Sequence, residues 1–128
     1  MLELLDVIWV HDGTIDPPKL KMVVAISIRE GLFLRINSKP NFRPTVKLPK
    51  EPDHSFLEHD SYLNCGTVLE LDDYIISESL RRNGEQPYGY VSPDLIPEIK
   101  DAIYKGRIRY ADRKIIFEEL YNFQVKDQ

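Results

Sequence analysis

The sequence predicts a mainly β, α+β fold: a small, strongly bent sheet or partly closed barrel with helical material packed at one end. Three observations lead there. Short β-rich runs recur between residues 4 and 91, loops rich in proline and glycine separate them, and an amphipathic helical stripe begins only after residue 92. At 128 residues the chain has the length of one domain, long enough to bury a core without disulfides. Its 42% hydrophobic and 30% charged residues are the composition of an ordinary globular protein.

Each element has a local reason. Residues 4–10 (LLDVIWV) read as a strand, followed by a polar loop broken by Gly13 and the Pro17-Pro18 pair. Residues 22–29 form a strand with Val24, Ile26 and Ile28 inward and Ala25, Ser27 and Arg29 outward. Glu30-Gly31 is a tight turn. Residues 32–37 return with Leu32, Leu34 and Ile36 inward and Phe33, Arg35 and Asn37 outward. Pro40 and Pro44 forbid a central strand in the next segment. TVKL is a short strand with Val46 and Leu48 inward. Residues 49–60 are irregular, with one helical turn expected at 55–58 and Phe56-Leu57 expected to plug that loop against the sheet. Residues 61–71 look like two strands broken near Gly66; residues 72–82 give no clear signal; 89–91 is a last strand.

Ser92 is a natural helix N-cap, with Pro93 and Asp94 suited to the first turn. Leu95, Ile96, Ile99, Ala102 and Ile103 form one apolar stripe, and Gly106 ends the helix. Pro97 lies deep, so either the first turn is irregular or the regular helix starts nearer Pro97. Ile115, Ile116, Leu120 and Phe123 are at helical spacing in the tail.

Charge is blocked along the chain. Residues 19–50 hold eight Lys/Arg against one acid, a local charge of +7, while the remainder holds nine Lys/Arg against 20 Asp/Glu. Residues 1–18 and 51–80 contain no Lys or Arg. Such blocking puts a basic patch on an acidic protein, suited to a phosphate-bearing partner or an acidic polypeptide; its alternative is a set of solvated strand faces. The single cysteine, Cys65, excludes an internal disulfide and has no base near it in sequence to make it a nucleophile. No apolar run approaches membrane-spanning length, and the acidic N-terminus is unlike a secretory signal, so the expected location is cytoplasmic, with no membrane contact.

Three histidines, His11, His54 and His59, lie in or beside loops, where the surface is their simplest home; two near a phosphate could also run acid-base cleavage. Asp53, His54, His59, Asp60 and Cys65 are metal-ligand types at a spacing that matches no recurrent zinc motif. Phe33 beside Arg35, and Phe42 beside Arg43, could stack bases or instead serve the core or a dimer interface. Trp9 is expected to be buried.

Three pieces in order resemble the PemK/MazF family of toxin endoribonucleases. DVIWV, a polar loop and KMVVAIS are similar to the family's first strand, flexible loop and second strand. LRINS followed by FRPTVKLP is similar to its third strand ending in Thr/Ser and the stretch after it. VLELDDYIISESLRR and YGYVSPDLIPEIKDAI resemble its later strand, Ile-Asp-x-x-Arg-Leu segment and terminal helix. The resemblance implies a small SH3-like, CcdB-like β-barrel with a C-terminal helix over residues 1–106, and leaves 107–128 as a further helical tail packed on the same domain.

The resemblance also implies a homodimer that cuts single-stranded RNA without metal or other cofactor, through attack of the 2′-hydroxyl on the adjacent phosphate, and that is neutralised by an antitoxin protein. Its catalytic positions fall on Lys21 and Ser38. Lys19, Arg35, Lys39 and Arg43 would bind RNA, while Arg107, Arg109 and Arg113 of the tail are expected to lie outside the site. The family has Arg-Pro where this chain has Lys21-Met22, and Asn37 replaces a usual proline before Ser38. Lysine holds phosphate as a point charge and lacks the planar fork of arginine, so this departure bears on catalysis more than on fold. Two rival readings stand beside it: a barrel of the same fold that binds protein or nucleic acid without cutting, and a metal-dependent enzyme built on the His/Asp run.

Overall fold

The computed structural model describes residues 1–13, 19–41 and 43–126; the base-stacking role read for Phe42 lies outside them. Among the described residues seven strands, β1 (Asp6–Asp12), β2 (Lys19–Ser27), β3 (Leu32–Asn37), β4 (Thr45–Leu48), β5 (Ser61–Asn64), β6 (Leu69–Glu70) and β7 (Gly89–Tyr90), form a curled antiparallel half-barrel. The helices α1 (Asp73–Arg82), α2 (Ile96–Lys105) and α3 (Tyr110–Lys126) complete a mixed α+β fold. The strand order is β4-β5-β3-β2-β1-β7, and β6 pairs with β3.

The β2–β3 hairpin forms as its sequence suggests. Val24 pairs with Leu34 and Val23 with Arg35, with a bulge between Ala25 and Ser27. Gly31 takes φ +63° in the turn, and a Cβ there would lie 2.5 Å from the Leu71 carbonyl oxygen, so both conformation and space call for glycine. β5 and β6 run along the same side of β3, interrupted at Gly66: Leu63 pairs with Ile36 and Leu69 with Phe33.

The faces of this hairpin differ from the simple alternation. Ala25, Ser27 and Phe33, expected outside, are buried, and Ile28, expected inside, is exposed. For Ala25 and Phe33 the reason is α1, formed by the stretch 72–82 that gives no clear signal in sequence, whereas the Ser27 hydroxyl is taken up by Glu119 of α3. Asp72 caps α1, its carboxylate accepting from the Ile75 N–H. Leu80 of α1 and Leu71 cover Ile8, Val10, Val23, Ala25 and Phe33, making a second core on the outer face of the sheet. Burying Phe33 there is worth about 1.5–3 kcal/mol. Of the two roles open to Phe33 beside base stacking, core and dimer interface, the core is thus the one it fills. Ile28 lies beyond the bulge, past the end of β2.

The main core lies on the other face, where Val24, Ile26, Leu34 and Leu63 meet Ile96, Ile99 and Ile103 of α2 and Ile116 and Leu120 of α3. Ser92 caps a short 3-10 turn (Pro93–Leu95), and the regular helix follows with Pro97 in its first turn, so both readings of Pro97 hold. Glu119 of α3 clasps the hairpin, accepting from the Ser27 hydroxyl and from the backbone N–H groups of Ile28 and Arg29.

The irregular segment 49–60 has turns in place of the expected helical turn. Leu57 is buried and Phe56 packs on the core, as a plug should. His54 is a structural residue, 2% exposed. Its Nδ1 donates to the Pro49 carbonyl at 2.7 Å, and its Nε2 accepts from the Ser92 N–H at 3.0 Å, which fixes the neutral tautomer. Among the described residues no helix is long and apolar enough to cross a membrane.

Candidate functional site

β2 and β3 bring the basic residues together. Lys21 is two residues before Val23, and Asn37 two residues after its partner Arg35, so strand geometry sets Lys21 beside Asn37. The Lys21 ammonium donates to Asn37 Oδ1 at 2.5 Å. Arg35 shares their face of the sheet and reaches the end of β1, where its Nε donates to Asp12 Oδ2 at 2.5 Å. Asp12 is fully buried, and the Arg35 side chain is 15% exposed, so this ion pair is an interior one. Arg35 also donates to the Thr67 hydroxyl at 3.4 Å.

Around this group opens a cleft of about 830 Å³. Lys21 and Arg35 form one wall, Arg43 enters from the loop before β4, and Lys105 and Arg107 come from the end of α2. Gly106 makes the last approach possible: a Cβ there would lie 2.8 Å from the Cys65 carbonyl oxygen. Among the described residues five cations thus face one space, with Asp12 buried behind Arg35. The Lys21 ammonium is held below its ordinary lysine range, first by desolvation and then by the Arg35 and Lys19 charges, while Asp12 opposes the shift.

A second, smaller cleft of about 260 Å³ adjoins the first, with Lys21 and Asn37 lining both. Its other walls include Trp9, Phe56, Tyr88, Ser38 and His59. Trp9, expected to be buried, is 36% exposed here.

The residues singled out from sequence divide accordingly. Lys21, Arg35 and Arg43 share the basic cleft. Ser38 is exposed and lines the second cleft with Lys21. Lys19 is exposed opposite Asp12 on the neighbouring strand, and Lys39 is exposed outside both clefts. Phe33, one candidate for base stacking, is in the core. Arg107, expected outside the site, lines it together with Lys105; Arg109 instead pairs with Asp112, and Arg113 lies over the Tyr104 and Tyr110 rings. No local pattern marks Lys105 and Arg107, because only the packing of α2 against the sheet carries them there.

The remaining chemical candidates are placed elsewhere. Cys65 is buried and its thiol is pushed up to about 12 by desolvation, the opposite of an activated nucleophile. Among the described residues no three His, Cys, Asp or Glu side chains come together as metal ligands. His11 is exposed on β1. The fold and clefts define a small half-barrel α+β protein with a polycationic groove beside an aromatic one. No protein-family model, curated protein or solved structure matches the chain.

Proposed function

We propose that the basic cleft binds single-stranded RNA and that the chain cuts it without a metal ion, as a toxin-like endoribonuclease neutralised by an antitoxin protein. In this reading the half-barrel is an SH3-like, CcdB-like barrel of the PemK/MazF kind, acting as a homodimer in the cytoplasm. The observation that carries it is Lys21, a partly desolvated ammonium at the junction of both clefts with four more cations around the larger one. Desolvation makes this ammonium a stronger acid while leaving it a cation beside the phosphate.

The chemistry balances simply. The 2′-oxygen attacks phosphorus, one P–O bond forms, the bond to the 5′-oxygen breaks, and a 2′,3′-cyclic phosphate remains. Lys21 gives a proton to the departing 5′-oxygen and regains one from solvent; the 2′-hydroxyl proton passes to water. Arg43, Lys105 and Arg107 hold flanking phosphates, Arg35 adds its charge from behind, and Lys19 and Lys39 extend the path at its rim. Ser38 donates to a phosphate oxygen from the second cleft.

A mixed RNA pool incubated with the purified protein in EDTA tests this. Cleavage is expected, falling by at least about two orders of magnitude in Lys21→Ala, falling less in Lys21→Arg, which keeps the charge at the phosphate but is a far weaker acid, and falling less in Ser38→Ala. Undiminished cleavage by folded Lys21→Ala removes the proposal. One observation favours a second reading, a barrel that binds RNA without cutting it: Ser38 lines the smaller cleft, apart from most of the cations. Retarded RNA that stays intact with and without metal would select that reading.

A further inference from the structure

We propose that the cleft walled by Trp9, Phe56 and Tyr88 is a nucleobase pocket that selects guanine, which gives the RNA-binding reading above, on which it rests, a sequence preference.

The three rings make an apolar wall that one solvent-exposed heterocycle can cover. Trp9 and Tyr88 meet edge to face at 5.7 Å and 78°, and Phe56 and Tyr88 at 6.1 Å and 87°. Trp9 and Tyr88 nevertheless remain 36% and 42% exposed. Edge-to-face packing holds these rings still, and the exposed area of Trp9 and Tyr88 is what a base would stack on, the sequence-tolerant part of base recognition. At about 260 Å³ the pocket suits one planar base rather than a duplex. It is continuous with the phosphate cleft, because Lys21 and Asn37 line both. A phosphate held by Lys21 therefore has an adjacent base within reach of the rings.

The polar groups supply the selection. Glu58 and His59 also line the pocket. Glu58 as a carboxylate only accepts. The Nδ1 of His59 donates to the Asp60 carbonyl oxygen at 2.8 Å, which holds the ring on its own turn and leaves the Glu58 carboxylate as the acceptor at this end. The Ser61 hydroxyl donates to the His59 carbonyl and steadies that turn. On the side shared with the phosphate cleft, Asn37 accepts from Lys21 through Oδ1, which leaves its amide nitrogen as a donor. The pocket thus pairs an acceptor end with a donor end. Guanine alone among the four bases has two adjacent donors, N1–H and N2–H₂, on one edge and two acceptors, O6 and N7, on another. The negative charge of Glu58 also repels phosphate, so a base and not the backbone belongs at that end.

Trp9 is the chain's one tryptophan, so its emission reports on this pocket. The full chain is titrated with pentanucleotides bearing 2′-fluoro sugars, which are not cut, with central G, A, C, U or an abasic site. Central G is expected to quench Trp9 and to bind about tenfold or more tighter than the abasic strand and than the other three bases. Tyr88→Ala should remove most of the advantage over the abasic strand, and Glu58→Gln the preference for G; both residues are exposed, and circular dichroism controls for folding. Equal affinity for the G and abasic strands overturns the pocket while leaving RNA binding intact. A preference for another base overturns the guanine assignment. Failure of every strand to bind overturns the RNA reading and the pocket with it.

Discussion

Lys21 is pulled two ways: burial and the neighbouring Arg35 and Lys19 favour its neutral form, while Asp12 favours the cation. The outcome is a folded-state value below the 10.5 of a free lysine. Across the window between that lowered value and 10.5, the unfolded chain binds more protons than the folded one, so this group's contribution to stability rises with pH there. A reaction that draws a proton from Lys21 should lose rate as pH enters the same window, and Lys21→Arg should move the decline to higher pH; pH–rate profiles of the two proteins check this, and coincident profiles would count against Lys21 as the acid. Asp12→Asn acts on the same group from behind. It removes the carboxylate that offsets two cations, so Lys21 should titrate lower still, and loss of one partner of the buried Asp12–Arg35 pair should cost about 3–5 kcal/mol by urea unfolding. A change below about 1 kcal/mol, the scale of exposed pairs, would mean that this pair behaves as a surface one.

Among the helices, α3 is the one that clasps the turn end of the site-bearing hairpin. Glu119 takes three hydrogen bonds at the turn end of β2, and Ile116 and Leu120 enter the core. Glu119→Ala should destabilise the fold by about 2–3 kcal/mol, since bonds to a charged acceptor are worth more than neutral ones, and should speed amide exchange at Ile28 and Arg29 before it affects β4 and β5. Uniform exchange across the sheet would show that the clasp is not local. The helices also show where the sequence is legible. The stripe of α2 is strongly amphipathic and can be read outright, as can the β2–β3 hairpin with its glycine turn. α1 is harder to read: it fully buries only Ser79 and Leu80, with Ile76 partly buried beside them, while Tyr74 and Ile75 of the same run face outward. Without α1 in view, the unbroken run Val23, Val24, Ala25, Ile26 reads as an alternating strand, when it marks one buried on both faces.

At the scale of the whole molecule, charge is gathered by packing as well as by sequence. The excess in residues 19–50 supplies Lys21, Arg35 and Arg43, and the end of α2 adds Lys105 and Arg107 from far along the chain. The local block is legible in the sequence; the last two cations are not, because only the tertiary structure joins them to it. Arg43→Glu, Lys105→Glu and Arg107→Glu together should abolish RNA binding, whereas the same change at Arg29, Arg81 and Lys114 should leave most of it, measured by fluorescence anisotropy. Wild-type affinity should fall steeply with salt as phosphate contacts release counterions. An affinity that is flat between low and physiological salt would deny the cleft its electrostatic role.

The two-sided burial of the central hairpin has a consequence for how the chain measures itself. In a sheet with one wet face, sliding a strand by a single residue turns its apolar side chains into water and corrects itself. Here Val23, Val24, Ala25 and Ile26 are all buried, so a one-step slip of β2 trades one greasy neighbour for another and meets little resistance. The ruler must lie at the ends, where polar partners have only one correct mark: Asp12 reaching Arg35 at one end, and Ser27 meeting Glu119 at the other. The ion pair behind the cleft would then also help to keep its strands in alignment, and blunting both marks should yield a mixture of misaligned hairpins, seen as doubled amide resonances along β2, rather than an unfolded chain.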